Sequence, residues 1–178
     1  MVLELREIDE STDFPLIARV LFESHEVPLQ KFFHVFFPIL LPPNKDATGS
    51  DSSADLAKAK AREAAIAECA DRLKLWHTTD PTSHWRKVID TETGDIAACS
   101  LWHIYDENPF REEEPHLAEA TWFPNRRHRE FATKALVAHS APRERCGRRA
   151  QVCTSLPCAS SSLSIYVPSH RNVVQMFF

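Results

Sequence analysis

DPTSHWRKVIDTETGDIAACSLWHIYDENPF, residues 80–110, carries the strongest strand signal in the chain. Its two apolar runs, His84–Asp90 and Asp95–Tyr105, flank the turn Thr91-Glu92-Thr93-Gly94. Gly94 supplies the positive φ that a short hairpin loop needs and that a residue with a Cβ adopts only under strain. A β-hairpin is therefore expected, with Trp85 and Trp102 packing in the core or across the strands.

Upstream, residues from about Ala54 to Trp76 are rich in Ala, Lys, Glu and Arg, all strong helix formers. They predict a long helix of about 34 Å at 1.5 Å per residue, with Ile66, Ala70, Leu73 and Trp76 on its core stripe. Residues 44–53 read as a flexible loop. Before it, Leu29, Phe32, Phe33, Phe36 and Phe37 repeat at helical spacing after Pro28, and Pro38, Pro42 and Pro43 close that segment. Phe14, Ile17, Ala18, Leu21 and Phe22 form a clearer stripe at i, i+3, i+4, i+7 and i+8, behind Ser11 or Thr12 as a cap. Val2–Arg6 alternates as a short strand with one apolar edge.

Downstream the pattern weakens. Residues 106–115 read as an acidic loop, and Asn125 opens a helix to about Ala138, with Phe131, Ala132 and Ala135 on one face. Residues 140–178 show no sustained period and hold seven Ser and three Cys. The charge changes too: residues 126–178 carry nine Lys and Arg against two acids, a net of +7, whereas residues 1–125 carry 12 against 23, a net of −11. A split of this kind marks either a basic arm or two parts of different origin.

The order strand, two helices, long helix, hairpin resembles the opening of the GNAT N-acetyltransferase fold, and the text is similar to fungal GNAT-like proteins. "LELREIDESTDFPLIARVLFES" resembles their first strand and helix, residues 80–110 their second and third strands, and "EATWFP" (119–124) and "REFATKAL" (129–136) extend the likeness. It covers about residues 2–138. The resemblance implies acetyl transfer from acetyl-CoA to a small-molecule or peptide amine acceptor. It also implies a pyrophosphate cradle of the form Q/R-x-x-G-x-G/A, leading from a fourth strand into a helix N-terminus. The family builds its acceptor wall from the first two helices, which makes Glu23, His25 and Glu26 the expected substrate-facing residues, with His34 nearby.

Where that cradle belongs the chain departs from the family. The nearest segment is Glu144-Arg145-Cys146-Gly147-Arg148-Arg149, with Glu in place of Gln or Arg and Arg149 in place of a small residue; Gly147 is the only Gly after Gly94. No cofactor-binding residue is therefore assigned. The expected protein is an incomplete, truncated and inactive GNAT-like domain. The alternative is a non-catalytic interaction fragment or the product of a shifted reading frame beyond about residue 140.

Other chemistry is sparse. His77, His84 and His103 with Asp80 or Asp106 match no zinc spacing, nor do Cys146, Cys153, Cys158 and His170, so no metal is expected. Arg126, Arg127, Arg129, Arg143, Arg145, Arg148 and Arg149 lack the interleaved aromatics of a nucleic-acid surface, and a solvated helix face running into a tail is preferred. The charged stretch Glu4–Asp13 is no signal peptide, the apolar run Leu29–Leu41 is too short to span a bilayer, and five Cys are an odd number. These features point to a cytoplasmic protein with reduced thiols and no membrane partner. The expected fold is α+β. Residues 1–138 form a partial GNAT-like domain, a small, mainly antiparallel sheet with three or four helices. Residues 139–178 form a divergent, poorly ordered tail. The third strand is left with an open edge, implying poor stability, self-association, or a substitute strand from a C-terminal segment such as Leu163–Val167.

Overall fold

The computed structural model describes residues 2–26, 29–41, 51–105, 119–147, 158–159 and 173–175. In chain order these form β1 (Leu3–Glu7), α1 (Asp13–Glu26), α2 (Phe33–Phe36), α3 (Asp51–Thr79), β2 (Ser83–Asp90), β3 (Ile96–Tyr105), α4 (Arg126–Gly147), β4 (Cys158–Ala159) and β5 (Val173–Gln175). The fold is α+β, and every strand pairing among the described residues is antiparallel.

The hairpin forms as its sequence dictates. Gly94 takes φ 81°, and its N–H donates to Asp90 O at 2.7 Å while the Asp90 N–H donates to Asp95 O at 2.9 Å. β2 pairs with β3 from Ser83↔His103 to Ile89↔Ile96, with a bulge between Val88 and Ile89. β1 adds to the other edge of β2, Leu5 opposite Val88. The far edge of β3 is partly covered by both short C-terminal strands: Ala98 and Cys99 by β4, and His103, Ile104 and Tyr105 by β5. A substitute strand therefore exists, but it is Val173–Gln175; the Leu163–Val167 segment lies outside the described residues.

One face of the sheet carries the core. The α1 stripe Phe14, Ile17, Ala18, Leu21 and Phe22 is buried completely or nearly so, against Ile66, Cys69, Ala70 and Leu73 of α3 and Trp85 and Cys99 of the sheet. Phe14 meets Trp85 edge-on at 6.1 Å. Cys69 and Cys99 are free thiols inside this core, and burial pushes the Cys69 thiol well up from its ordinary range. Asp13 is buried with this cluster; its carboxylate accepts a hydrogen bond from Lys87 Nζ at 2.5 Å and one from the Asp9 N–H at 2.6 Å. The opposite face is open: Leu3, Leu5 and Ile104 stand exposed there, beside Trp102, whose indole N–H donates to Ser100 Oγ. Leu3 and Leu5 thus gain no core partner, and all of β1 is exposed.

Three expectations need correction. The Phe-rich segment gives a single helical turn rather than a helix from Leu29. The Gln30 N–H returns to His25 O, Leu29 bridges to Glu26, and Phe37 leaves helical geometry at φ −128°, ψ 76°. Only Phe33 and Phe37 of that stripe are fully buried. The long helix runs from Asp51, inside the stretch expected to be a loop, to Thr79, where the Thr78 and Thr79 hydroxyls donate back to the Lys74, Leu75 and Trp76 carbonyls; Trp76 itself is 40% exposed. Finally, α4 does not stop near Ala138 but continues through Ser140-Ala141-Pro142 to Gly147. Proline in a helix interior costs about 3 kcal/mol, through a lost backbone hydrogen bond and a ring clash with the carbonyl one turn back, and α4 spans Pro142 all the same. Residues 139–147 are accordingly helix and not tail.

A second small cluster joins α4 to α2: Ala120, Ala132 and Leu136 pack with Val35, Phe36, Trp122 and Phe123. Arg72 of α3 ties it to the main core. Its guanidinium lies 4.5 Å from the Phe37 and Trp122 ring centres and 5.3 Å from that of Trp76, and Nη2 donates to Phe36 O and Glu68. Nε and Nη1 of Arg72 are buried without a hydrogen-bond partner among the described residues. Among the described residues no helix is long and apolar enough to cross a membrane.

Candidate functional site

The expected acceptor wall lies at the end of α1, where its three residues do not converge. Glu23 is an exposed position on the helix. Glu26 is held by Arg62 of α3 through two hydrogen bonds, 2.7 Å from Nε and 2.8 Å from Nη2. Those bonds keep its carboxyl below the usual carboxylate range, which suits an anchor and disfavours a proton acceptor. His25 stacks on Phe33, ring centres 4.3 Å apart at 16°, with Nδ1 2.7 Å from Leu21 O. Burial pushes its imidazole below the ordinary range, against the opposing pull of that carbonyl. Glu26 and His25 therefore fasten α1 to α3 and to the Phe33 turn.

The concave site lies one turn further on. Lys31, His34 and Val35, on and just before α2, face Phe123, His128 and Phe131, at and before the start of α4, across a cavity of about 250 Å³. Pro38 and the tight turn at Gln30 keep the first group on one short, bent segment, and the Ala120–Ala132 contact brings the second against it. Trp122 secures the join by donating from Nε1 to Val35 O at 2.9 Å. At the helix start Asn125 Oδ1 accepts the Arg127 N–H at 2.8 Å, and Phe123 meets His128 edge-on at 5.9 Å. Of these residues only His34 was singled out in the sequence for acceptor binding. Lys31, Phe123 and His128 carry no spacing signal, because the cleft joins segments about ninety positions apart, and Phe131, expected on one face with Ala132 and Ala135, is 67% exposed while Ala132 is buried.

The remaining histidines organise a turn. His77 Nδ1 lies 2.9 Å from Ser83 Oγ and Nε2 3.3 Å from Glu10 Oε1, a serine–imidazole–carboxylate chain. Ser83 is only 6% exposed and heads β2 on the covered face of the sheet, so the chain clamps α3, β2 and the segment after β1 and offers no nucleophile to solvent. Beside it, Asp80 accepts hydrogen bonds from the Thr82 N–H and hydroxyl and lies 3.2 Å from His103 Nδ1. Burial raises the Asp80 pKa, but these hydrogen bonds outweigh it and hold the carboxyl below its usual range. His84 is exposed on the open side of β2. Asp106, Cys153 and His170 lie outside the described residues, and among those described no group of three or more His, Cys, Asp or Glu could hold a metal ion.

The phosphate-loop candidate lands in an unsuitable place. Glu144 to Gly147 form the last turn of α4, and α4 follows a loop rather than a strand. A helix C-terminus presents carbonyls and partial negative charge, the opposite of what a pyrophosphate requires. Arg148 and Arg149 lie outside the described residues, while Arg126, Arg127 and Arg129 line the start of α4; Arg126 pairs with Glu130 at 2.8 Å. Compared with known proteins, the chain matches no family model, no curated protein and no solved structure.

Proposed function

We propose that this chain is a GNAT-like domain that does not use acetyl-CoA and serves as a non-catalytic binding or interaction module. Its order of strand, two helices, long helix and antiparallel hairpin supports the GNAT-like part, together with the covering of one sheet face by α1 and α3. The observation that carries the non-catalytic part is the position of Glu144–Gly147 at the C-terminal end of α4. Backbone N–H groups that would cradle a pyrophosphate are bonded within the helix there, and the dipole opposes the charge.

Calorimetric titration of the full chain with acetyl-CoA is the test. The expected result is no saturable binding tighter than about 100 μM, the equivalent of about 5.5 kcal/mol. A saturable complex tighter than that restores the acetyl-CoA-dependent N-acetyltransferase reading and sends the search for an amine acceptor back to the α1–α2 wall.

A further inference from the structure

We infer that the cleft between α2 and the start of α4 binds a small carboxylate with an apolar body, of the arylalkanoate type. Three features of the cleft specify that chemistry. Its volume of about 250 Å³ lies below the usual range for small-molecule sites, so it suits a molecule of roughly one ring and a short chain rather than a helix or a nucleic-acid strand. Its walls are Val35, Phe123 and Phe131, and the Phe131 ring is 67% exposed. A single exposed aromatic is ordinary, but this one faces two other apolar side chains across a concavity, where a ligand ring would be covered on more than one side.

The polar part of the lining is basic. Lys31, His34 and His128 supply an ammonium and two imidazoles, and none of the six lining residues is acidic. Two acids of the flanking segments are already engaged: Glu26 by Arg62 and Glu130 by Arg126. His128 also stands in the first turn of α4, a helix of 22 residues, whose N-terminal partial positive charge adds to the same preference. The ligand carboxylate therefore sits toward Lys31 and the imidazoles, its apolar body between Phe123 and Phe131. The cleft does not favour a bare anion, because hydrophobic walls reward only the part of the ligand that leaves water. This inference does not rest on the GNAT-like reading, and acetyl-CoA has no part in its test.

The experiment is an amide-resolved NMR titration of the full chain with hydrocinnamate. Saturable shifts centred on Lys31, His34, Phe123, His128 and Phe131 are expected, with a Kd on the order of 1 mM for so small a ligand. The neutral hydrocinnamide and the bare anion acetate are each expected to bind at least about fivefold more weakly, as is hydrocinnamate to Lys31→Gln, since a charge-assisted hydrogen bond is lost in the first and third cases and the apolar contact in the second. Lys31 is exposed, so that variant keeps its fold, which its spectrum verifies. The inference is overturned by shifts that fail to saturate below about 20 mM, by shifts centred elsewhere, by amide or acetate binding as well as hydrocinnamate, or by an unaltered affinity in Lys31→Gln.

Discussion

The Lys87–Asp13 pair shows how one buried contact joins the sheet to its helical layer. Asp13 opens α1 and is 4% exposed, so its carboxylate depends on Lys87 Nζ and the Asp9 N–H for the solvation it has lost. Lys87→Met is expected to destabilise the fold by about 3 kcal/mol, because it leaves a buried charge without its counter-ion. Adding Asp13→Asn should recover part of that loss. Denaturant unfolding of the two single variants and the double variant measures the coupling, and simple additivity would show that the pair does not act as a unit. His25 governs a different dependence. Burial lowers its folded-state pKa, so in the window just below the ordinary value of 6.5 the unfolded chain takes up a proton that the folded chain refuses. Stability should fall as pH drops from about 7 toward about 5. Glu26, whose folded pKa is lowered by Arg62, adds stability above its ordinary range of about 4.5 that is lost only at lower pH, as its folded value is passed. His25→Gln should flatten the upper window and leave the lower one. An unchanged slope between about pH 7 and pH 5 would assign the effect to another group.

At the scale of elements, the exposed edge of β3 is the point of tension. The Ile104 N–H donates to Thr82 O on the β2 side, so by strand alternation His103 and Tyr105 direct their backbone groups to the outer edge, where β5 pairs with them. Deleting residues 173–178 is expected to speed amide exchange at His103 and Tyr105 while sparing Ile104. Because the bared edge is a template for another strand, the shortened chain should also self-associate with concentration. Hydrogen exchange with sedimentation analysis checks both, and equal protection of all three amides before and after deletion would remove β5 from the account. The two ends of this edge differ in legibility. β3 was readable because ten residues of β-forming character adjoin a turn with Gly94. β5 was not, because three residues carry no period, and what defines the strand is the partner already waiting on β3. The segment around α2 differs for a related reason: its five apolar residues, Leu29 to Phe37, have helical spacing, yet the turn at Gln30 bends the chain there, so Leu29 and Phe32 face solvent.

Across the whole molecule, elements whose apolar residues recur locally were legible, and features that need distant segments to meet were not. The α1 stripe buries as its spacing requires, but Arg72 reads as one more charge on a polar helix until Phe37 and Trp122 join Trp76, one turn along α3, around its guanidinium. The cleft is hidden in the same way, since its two walls acquire meaning only when Ala120 and Ala132 pack on α2. In the expected wall of Glu23, His25 and Glu26, Glu26 pairs with Arg62 of α3 and His25 stacks on Phe33, while Glu23 is exposed.

The buried thiols have a further consequence. Cys69 lies in the helical layer and Cys99 in the sheet, at 0% and 3% exposure, and only a thiolate attacks an alkylating reagent. Each sulfur can therefore react only when its own layer opens, which makes the pair a two-channel clock for the detachment of α3 from the sheet. Because both belong to one cluster with Phe14 and Trp85, the layers should open together and the two sites label at the same rate, resolved peptide by peptide in a mass spectrometer. Faster labelling at Cys69 would reveal a native-state excursion in which the long helix peels away while the hairpin stays whole.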